Sequence, residues 1–271
     1  MKRTARLFIG LVAGLGLVAA ACGTDNAGGS AAPAAAVASA TTTAALSGNI
    51  TVFAAASLTD SFNEIGAAFT QANSQAKATF SFDASSALVQ QINQGAPADV
   101  FASADQANMD KLTKAGNNGT APVVFATNRL GIIIGPGNPK AITGVQDLGK
   151  SDLKVVLCAP EVPCGAYAKQ ILDGAGVTAK PASLEQNVKG VVTKVTAGEA
   201  DAGIVYVTDI AAAGSKAAGV DIPTDINVIA QYPIASTKTS TNAAVDQGFI
   251  NFVLGSQGQA ILKKYGFLPP S

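Results

Sequence analysis

Apolar residues along this chain recur with two periods, and the two alternate. Ile50-Thr51-Val52-Phe53 follows Gly48-Asn49 as a short apolar run and predicts a strand. The small residues Ala54-Ala55-Ala56-Ser57 then make a turn. After it, Leu58, Phe62, Ile65 and Phe69 repeat at the spacing of one helical face. The same unit returns. Residues 78–82 predict a second strand, Ser85-Ser86 offer a hydroxyl N-cap signal, and Leu88, Val89 and Ile92 mark a helix stopped by Gly95-Ala96-Pro97. Residues 99–102 predict a third strand and residues 104–114 a third helix.

Further along, residues 123–126 and 130–134 form two strand-like runs ahead of the sharp turn Gly135-Pro136-Gly137-Asn138-Pro139. Val155-Val156-Leu157-Cys158 predicts a buried strand, and Tyr167, Ile171 and Leu172 a helix. Val188, Val191, Val192 and Val195 predict another helix, ended near Gly198. Residues 202–206 predict a strand, with Thr208-Asp209 opening the next helix. Residues 228–230 and 232–234 form a late extended segment, and helices over 243–254 and 258–265 close the chain. This alternation predicts an α/β fold with mostly parallel sheets. Ligands of such sheets bind outside the carboxyl ends of the strands. Four small or hydroxyl-bearing turns fall at such places: Ser57, Ser85, Cys164-Gly165 and Tyr206. Gly135-Pro136-Gly137 lacks the lysine and spacing of a phosphate-cradling loop.

The first 46 residues do not follow this pattern. Lys2, Arg3 and Arg6 precede an uncharged apolar stretch over residues 7–21, shorter than the roughly 20 residues that span a bilayer. A basic start, a short apolar run and Ala19-Ala20-Ala21-Cys22 predict a secretory signal over residues 1–21 of the lipoprotein type, with Cys22 acylated. An ordinary cleaved signal with a chance cysteine is the alternative. Residues 22–48 are nearly all Ala, Gly, Ser and Thr and predict a flexible tether without a core. The expected product is exported, lipid-anchored to the outer face of the cell membrane, and works in the aqueous phase.

Charge and composition narrow the chemistry. The whole chain has 18 basic and 18 acidic residues, and loss of the signal removes three of the bases. No basic field for nucleic acid is left, and an anion site would have to be built from local dipoles. There is no histidine. That removes the commonest metal ligand and excludes Ser-His-Asp and Cys-His nucleophilic mechanisms. Beyond Cys22 the cysteines are Cys158 and Cys164, separated by Ala159-Pro160-Glu161-Val162-Pro163. An exported compartment favours oxidation, so a Cys158–Cys164 disulfide is predicted, with two free buried thiols as the alternative.

The run Ile50-Thr51-Val52-Phe53-Ala54-Ala55-Ala56-Ser57-Leu58-Thr59-Asp60 closely resembles the opening of the periplasmic molybdate-binding proteins. The resemblance continues at Ser85-Ser86, at Gln91-Ile92-Asn93-Gln94-Gly95-Ala96-Pro97-Ala98-Asp99-Val100-Phe101, and at Ser103-Ala104-Asp105-Gln106. It returns at Glu161-Val162-Pro163-Cys164-Gly165-Ala166-Tyr167-Ala168-Lys169, at Gly203-Ile204-Val205-Tyr206, and at Lys264-Tyr265-Gly266-Phe267. These landmarks cover nearly all of residues 49–268 in the family's order. The resemblance implies a two-lobe, type II periplasmic binding-protein fold closing on an oxyanion about a hinge. It also implies a monomer that hands molybdate or tungstate to the membrane permease of an ABC importer, with no resident cofactor. By the same resemblance the anion is held by the hydroxyls of Ser57, Ser85 and Tyr206 and by backbone amides at Cys164 and Val188. Ser86 is the neighbouring alternative to Ser85, because Ala84 interrupts a run of three serines common in the family. Cys164 stands where familiar members carry alanine, a change that a backbone donor tolerates.

The physics fits such a set. A dehydrated dianion needs many donors and no strong acceptors, and hydroxyls with helix-start amides supply them without a counterion. Each residue also has a plainer reading: Ser57 and Ser85 as helix caps, Tyr206 as a core or rim tyrosine, and Asp99, Asp105 and Asp209 as caps or solvated charges. Two other functions compete. One keeps the fold and binds sulfate, phosphate or another small anion. The other is an exported hydrolase with Ser57 as nucleophile, which lacks a histidine base and the glycines of a nucleophile elbow. The lobes are expected over residues 49–126 with 230–271, and over 127–229, so that the chain crosses twice.

Overall fold

Each predicted apolar run becomes a strand or a helix in the computed structural model, which describes residues 45–270. The signal segment, Cys22 and the tether up to residue 44 lie outside the described residues. Strand β1 (Ser47–Ala55) leads through a 3-10 turn (Ala56–Leu58) to α1 (Thr59–Ala72), then β2 (Gln75–Asp83), α2 (Ser85–Asn93), β3 (Val100–Ala102) and α3 (Gln106–Lys114). The long β4 (Val123–Ile134) is followed by β5 (Val155–Cys158), α4 (Pro163–Gly174), β6 (Ser183–Glu185), α5 (Val188–Thr196), β7 (Ala202–Tyr206), α6 (Val207–Ala213) and β8 (Ala218–Asp221). Strand β9 (Ile229–Ser236) and helices α7 (Ala243–Leu254) and α8 (Ser256–Lys264) complete the order. Among the described residues no helix is long and apolar enough to cross a membrane.

The strands run β2-β1-β3-β9-β4-β7-β5-β6, with β8 on β4. The β1–β2, β1–β3, β5–β6 and β5–β7 ladders are parallel. The antiparallel ladders all involve β4 or β9. These two strands join a sheet of β2, β1 and β3 to a sheet of β7, β5 and β6. The first half of β4 pairs with β9 as far as Arg129↔Ile229, and its second half pairs with β7 from Leu130↔Tyr206 onward. This is the two-lobe α/β architecture, its sheets mixed because the connecting strands run against the rest.

Some boundaries differ from the sequence expectation. The runs at 123–126 and 130–134 are one strand, because the polar residues between them find partners. Buried Asn128 donates to Thr208 Oγ1 at 2.9 Å, and Thr127 Oγ1 donates to the carbonyl of Pro269 at 3.0 Å. Strand β1 starts at Ser47, inside the expected tether, since Ser47 and Gly48 pair with Gln75 and Ala76. Helix α3 starts at Gln106 because Asp105 turns extended and caps it, accepting from the Asn108 amide. Strands β6 and β8 are short, partly exposed and carry no apolar run, so the period-based reading passes over them.

The core beneath the first sheet is aromatic. The Phe62 ring lies 5.6 Å from Phe125, and Phe69 lies 5.4 Å edge-on to Phe249. Gly66 sits on the buried face of α1 because Phe80 fills the space beside it: a Cβ there would fall 2.5 Å from the ring. In the second sheet Cys158 and Cys164 are joined as a disulfide, their Cα atoms 5.9 Å apart. The bond closes a short loop. Replacing both cysteines by alanine is expected to lower stability by about 2 kcal/mol, the entropy of freeing such a loop in the unfolded chain. Urea unfolding of the double variant measures this, and an unchanged midpoint would count against it.

Candidate functional site

Five strand ends converge on one place. Ser57 follows β1, Ser85 follows β2, Cys164 stands in the first turn of α4 after β5, Val188 opens α5 after β6, and Tyr206 ends β7. All five line a single small cavity with room for about one water-sized sphere. It lies outside the carboxyl ends of the strands, where open α/β sheets bind ligands. It is far smaller than the roughly 300 Å³ or more that drug-sized ligands need. Among the described residues no lysine or arginine lines it.

Several of the lining groups have donors to spare. Neither Ser57 nor Ser85 is a cap, against the plainer reading. The N-caps of the 3-10 turn and of α2 are Ala55 and Ala84, and neither helix has a side-chain cap bond. Buried Ser85 Oγ instead accepts from the Ala104 amide at 2.9 Å, which leaves its own hydrogen unspent. Ser86 lines the wider groove next door rather than this cavity. Helix α4 starts at Pro163 with no side-chain cap, so its first-turn amides have no side-chain acceptor. Helix α5 is capped by Asn187, which accepts from Gly190, two residues beyond Val188. These helix starts bring partial positive charge to the cavity. Gly165 lets the α4 turn pack close, since a Cβ there would meet the Ala159 carbonyl oxygen at 2.0 Å.

Tyr206 differs from the rest. Its side chain is 1% exposed, and its hydroxyl has no hydrogen-bond partner among the described residues. Burial pushes that hydroxyl well above its ordinary pKa, so it stays protonated and is a donor. A buried hydroxyl without a partner costs about 1–3 kcal/mol. Tyr206 is one of the residues that line the cavity.

Charged groups stand around the cavity and answer one another. Asp83 is the one acid on the wall; its Oδ1 accepts from the Ala84 amide at 2.7 Å and from Asn187 Nδ2 at 3.0 Å. Lys189 Nζ lies 3.3 Å from Asp60 Oδ2 and 3.2 Å from Asp209 Oδ1. Asp209 is 1% exposed, and burial pushes its pKa up to about 6, with the Lys189 charge acting the other way. The solvated-charge reading of Asp209 is therefore corrected, while Asp105 is the cap it was expected to be. Asp99 instead accepts from the Thr51 amide at 2.7 Å.

The sequence reading missed Tyr232, Asn187 and Lys189. Tyr232 Oη is 3.0 Å from Ser57 Oγ across 175 residues of chain. Asn187 ahead of an apolar run is a visible cap signal, but its bond to Asp83 depends on the fold. Ser57 as a nucleophile finds no base: its side-chain partner is a tyrosine whose pKa burial raises.

The chain is similar to several known proteins. Residues 50–268 match the family of bacterial extracellular solute-binding proteins. The molybdate-binding protein ModA of Mycobacterium tuberculosis is 42% identical over 222 residues, covering 82% of this chain and 85% of the relative. The molybdate-binding protein ModA of Escherichia coli is 34% identical, covering 81% and 89%. In three dimensions the Azotobacter vinelandii periplasmic molybdate-binding protein superposes with a TM-score of 0.70 at 22% identity, over 82% of this chain and all of that one. By its family match and by these relatives, the chain belongs to the bacterial extracellular solute-binding proteins.

Proposed function

We propose that this protein captures molybdate in the cavity between its two sheets and delivers it to the permease of an ABC importer. Tungstate, which has nearly the same size and charge, is proposed as an equivalent ligand. The observation that carries this reading is the buried Tyr206, whose hydroxyl has no partner among the described residues and which lines the same small cavity as Ser57 and Ser85. A tetrahedral dianion there would accept from the hydroxyls of Ser57, Ser85 and Tyr206 and from the amides of Cys164 and Val188. Charge-assisted bonds are roughly twice as strong as neutral ones, so a ring of neutral donors suffices. With no cation on the wall, selectivity rests on cavity size and on donor direction. The relatives are transport binding proteins, and this chain acts as one and not as an enzyme.

Closure about a hinge follows from the same layout. Ser57 and Ser85 come from the first sheet; Cys164, Val188 and Tyr206 come from the second. We place the lobes at residues 49–126 with 230–271 and at 127–229. The strand β4 changes partner between Arg129 and Leu130, and β9 begins at Ile229, which supports crossings near those boundaries. Export, with acylation of Cys22 and a monomer on a tether, completes the proposed working state.

Titration calorimetry with molybdate, tungstate, sulfate and phosphate tests the reading. Tight, competing heats from the first two are expected. No heat from either sinks it, and stronger competition by sulfate than by molybdate would reassign the ligand.

A further inference from the structure

Behind Ser57 stands a hydroxyl that anion capture does not itself require. Tyr232 lies on β9, fully buried, with its Oη 3.0 Å from Ser57 Oγ. Either oxygen of this pair could be the donor by distance alone. The choice matters, because Ser57 has only one hydrogen. If Ser57 gave it to Tyr232, only lone pairs would face the cavity and a dianion there would be repelled. If Tyr232 donates, the Ser57 hydrogen stays free for the cavity.

The surroundings favour the second arrangement. In the β4–β9 ladder Tyr232 pairs with Ala126 and Asn128 pairs with Ala230, so Tyr232 and Asn128 are diagonal neighbours on one face. Asn128 is fully buried. Its Oδ1 accepts from the Arg129 amide at 2.9 Å, and this fixes which end of the side chain is oxygen. Its Nδ2 donates to Thr208 Oγ1 at 2.9 Å and has a second hydrogen left. The register therefore brings an Asn128 N–H that is not spent on Thr208 to the face that carries Tyr232. Burial raises the Tyr232 pKa, so its hydroxyl keeps its hydrogen. A tyrosine oxygen that accepts from Asn128 has its own hydrogen to give, and Ser57 is the hydroxyl within reach.

We propose that Asn128 and Tyr232 form a directed relay, Asn128 N–H to Tyr232 Oη and Tyr232 O–H to Ser57 Oγ, that holds the Ser57 hydrogen toward the anion. Tyr232 is then a positioning residue that sets specificity, deepening the anion reading of the cavity and resting on it. A hydroxyl locked as a donor serves an oxyanion that carries no proton, such as molybdate. It serves poorly one that keeps a proton at neutral pH, such as inorganic phosphate, whose own hydrogen needs an acceptor. The relay starts where β4 passes from one sheet to the other, and Thr208 beside it belongs to α6. The strand that links the sheets thus also orients a ligand-binding group.

The test is a calorimetric double-mutant cycle on the purified chain with molybdate and with inorganic phosphate, using Tyr232→Phe, Ser57→Ala and the double variant. Tyr232→Phe is expected to weaken molybdate binding about tenfold, the cost of one misdirected bond to a charged group. It should also narrow the preference for molybdate over phosphate, because a released Ser57 can turn and accept. Both effects should vanish in the Ser57→Ala background. A variant that merely loosened the fold would weaken both anions alike, leave their ratio unmoved and overturn the proposal. Unchanged molybdate affinity in Tyr232→Phe would overturn it, as would a tenfold loss that persists without Ser57. If wild type binds no molybdate, or if Ser57→Ala alone costs nothing, the anion reading itself fails and the relay falls with it.

Discussion

Tyr206→Phe is expected to make the ligand-free protein more stable while making it a weaker binder. The two signs have one cause. The Tyr206 hydroxyl is buried without a partner among the described residues, and such a group costs about 1–3 kcal/mol of desolvation. Phenylalanine keeps the ring, which lies 5.8 Å from Tyr232, and removes the hydroxyl. The ligand-free variant should gain up to about 1 kcal/mol, allowing for relaxation around the site. With molybdate bound, the same hydroxyl gives a bond to a charged acceptor, and its loss should weaken binding by about 1–3 kcal/mol, roughly tenfold to a hundredfold. Thermal unfolding with and without molybdate reads both effects from one sample. A variant destabilised without ligand would mean that Tyr206 has a structural partner, and unchanged affinity would mean that the anion lies elsewhere.

Lys189→Met should cost about 2 kcal/mol of stability at pH 7.5 and much less at pH 5. Removing one partner of a buried ion pair leaves the other charged in a poor medium, which costs roughly 3–5 kcal/mol. Less is expected here, because the Lys189 side chain is 33% exposed and because Asp209 can take up a proton instead, at about 2 kcal/mol for the distance from its folded pKa to pH 7.5. The pH dependence comes from Asp209. Its folded pKa, about 6, lies above the roughly 3.9 of an unfolded aspartate, so the folded state holds this proton more tightly. A raised acid pKa favours folding at low pH, and that contribution is lost as pH rises from about 4 through 6. Two units correspond to about 3 kcal/mol between those limits. At pH 5 Asp209 is mostly protonated even beside Lys189, so losing the lysine matters little there. At pH 7.5 it is charged beside Lys189, and without the lysine only the Tyr206 backbone hydrogen bond works against its burial. Urea unfolding at the two pH values measures the difference. Equal deficits at both would show that Lys189 contributes packing alone, and adding Asp209→Asn to the variant should recover most of the loss at pH 7.5.

Local pattern carried much of this protein. Apolar spacing places nearly every strand and helix, since the inward face of an element must be apolar wherever it packs. The small and hydroxyl residues at strand ends point to Ser57, Ser85, Cys164 and Tyr206, because an α/β sheet brings those ends to one crevice. Where the pattern breaks, its reading falters. Thr127, Asn128 and Arg129 look like a gap between strands, yet β4 runs through them, because Thr208 and Pro269 supply partners from far along the chain.

The sequence alone determined the α/β order, the histidine-free chemistry and the family resemblance, all of which depend on residue type and near spacing. Only the tertiary structure decided what each polar group faces. Ser57 meets Tyr232 across 175 residues, Asp209 is buried beside Lys189, and Tyr206 keeps a hydroxyl with no partner. Whether a polar side chain is a donor in reserve, a paired charge or a cap is set by burial and by neighbours brought from distant strands, and these the chain acquires only on folding.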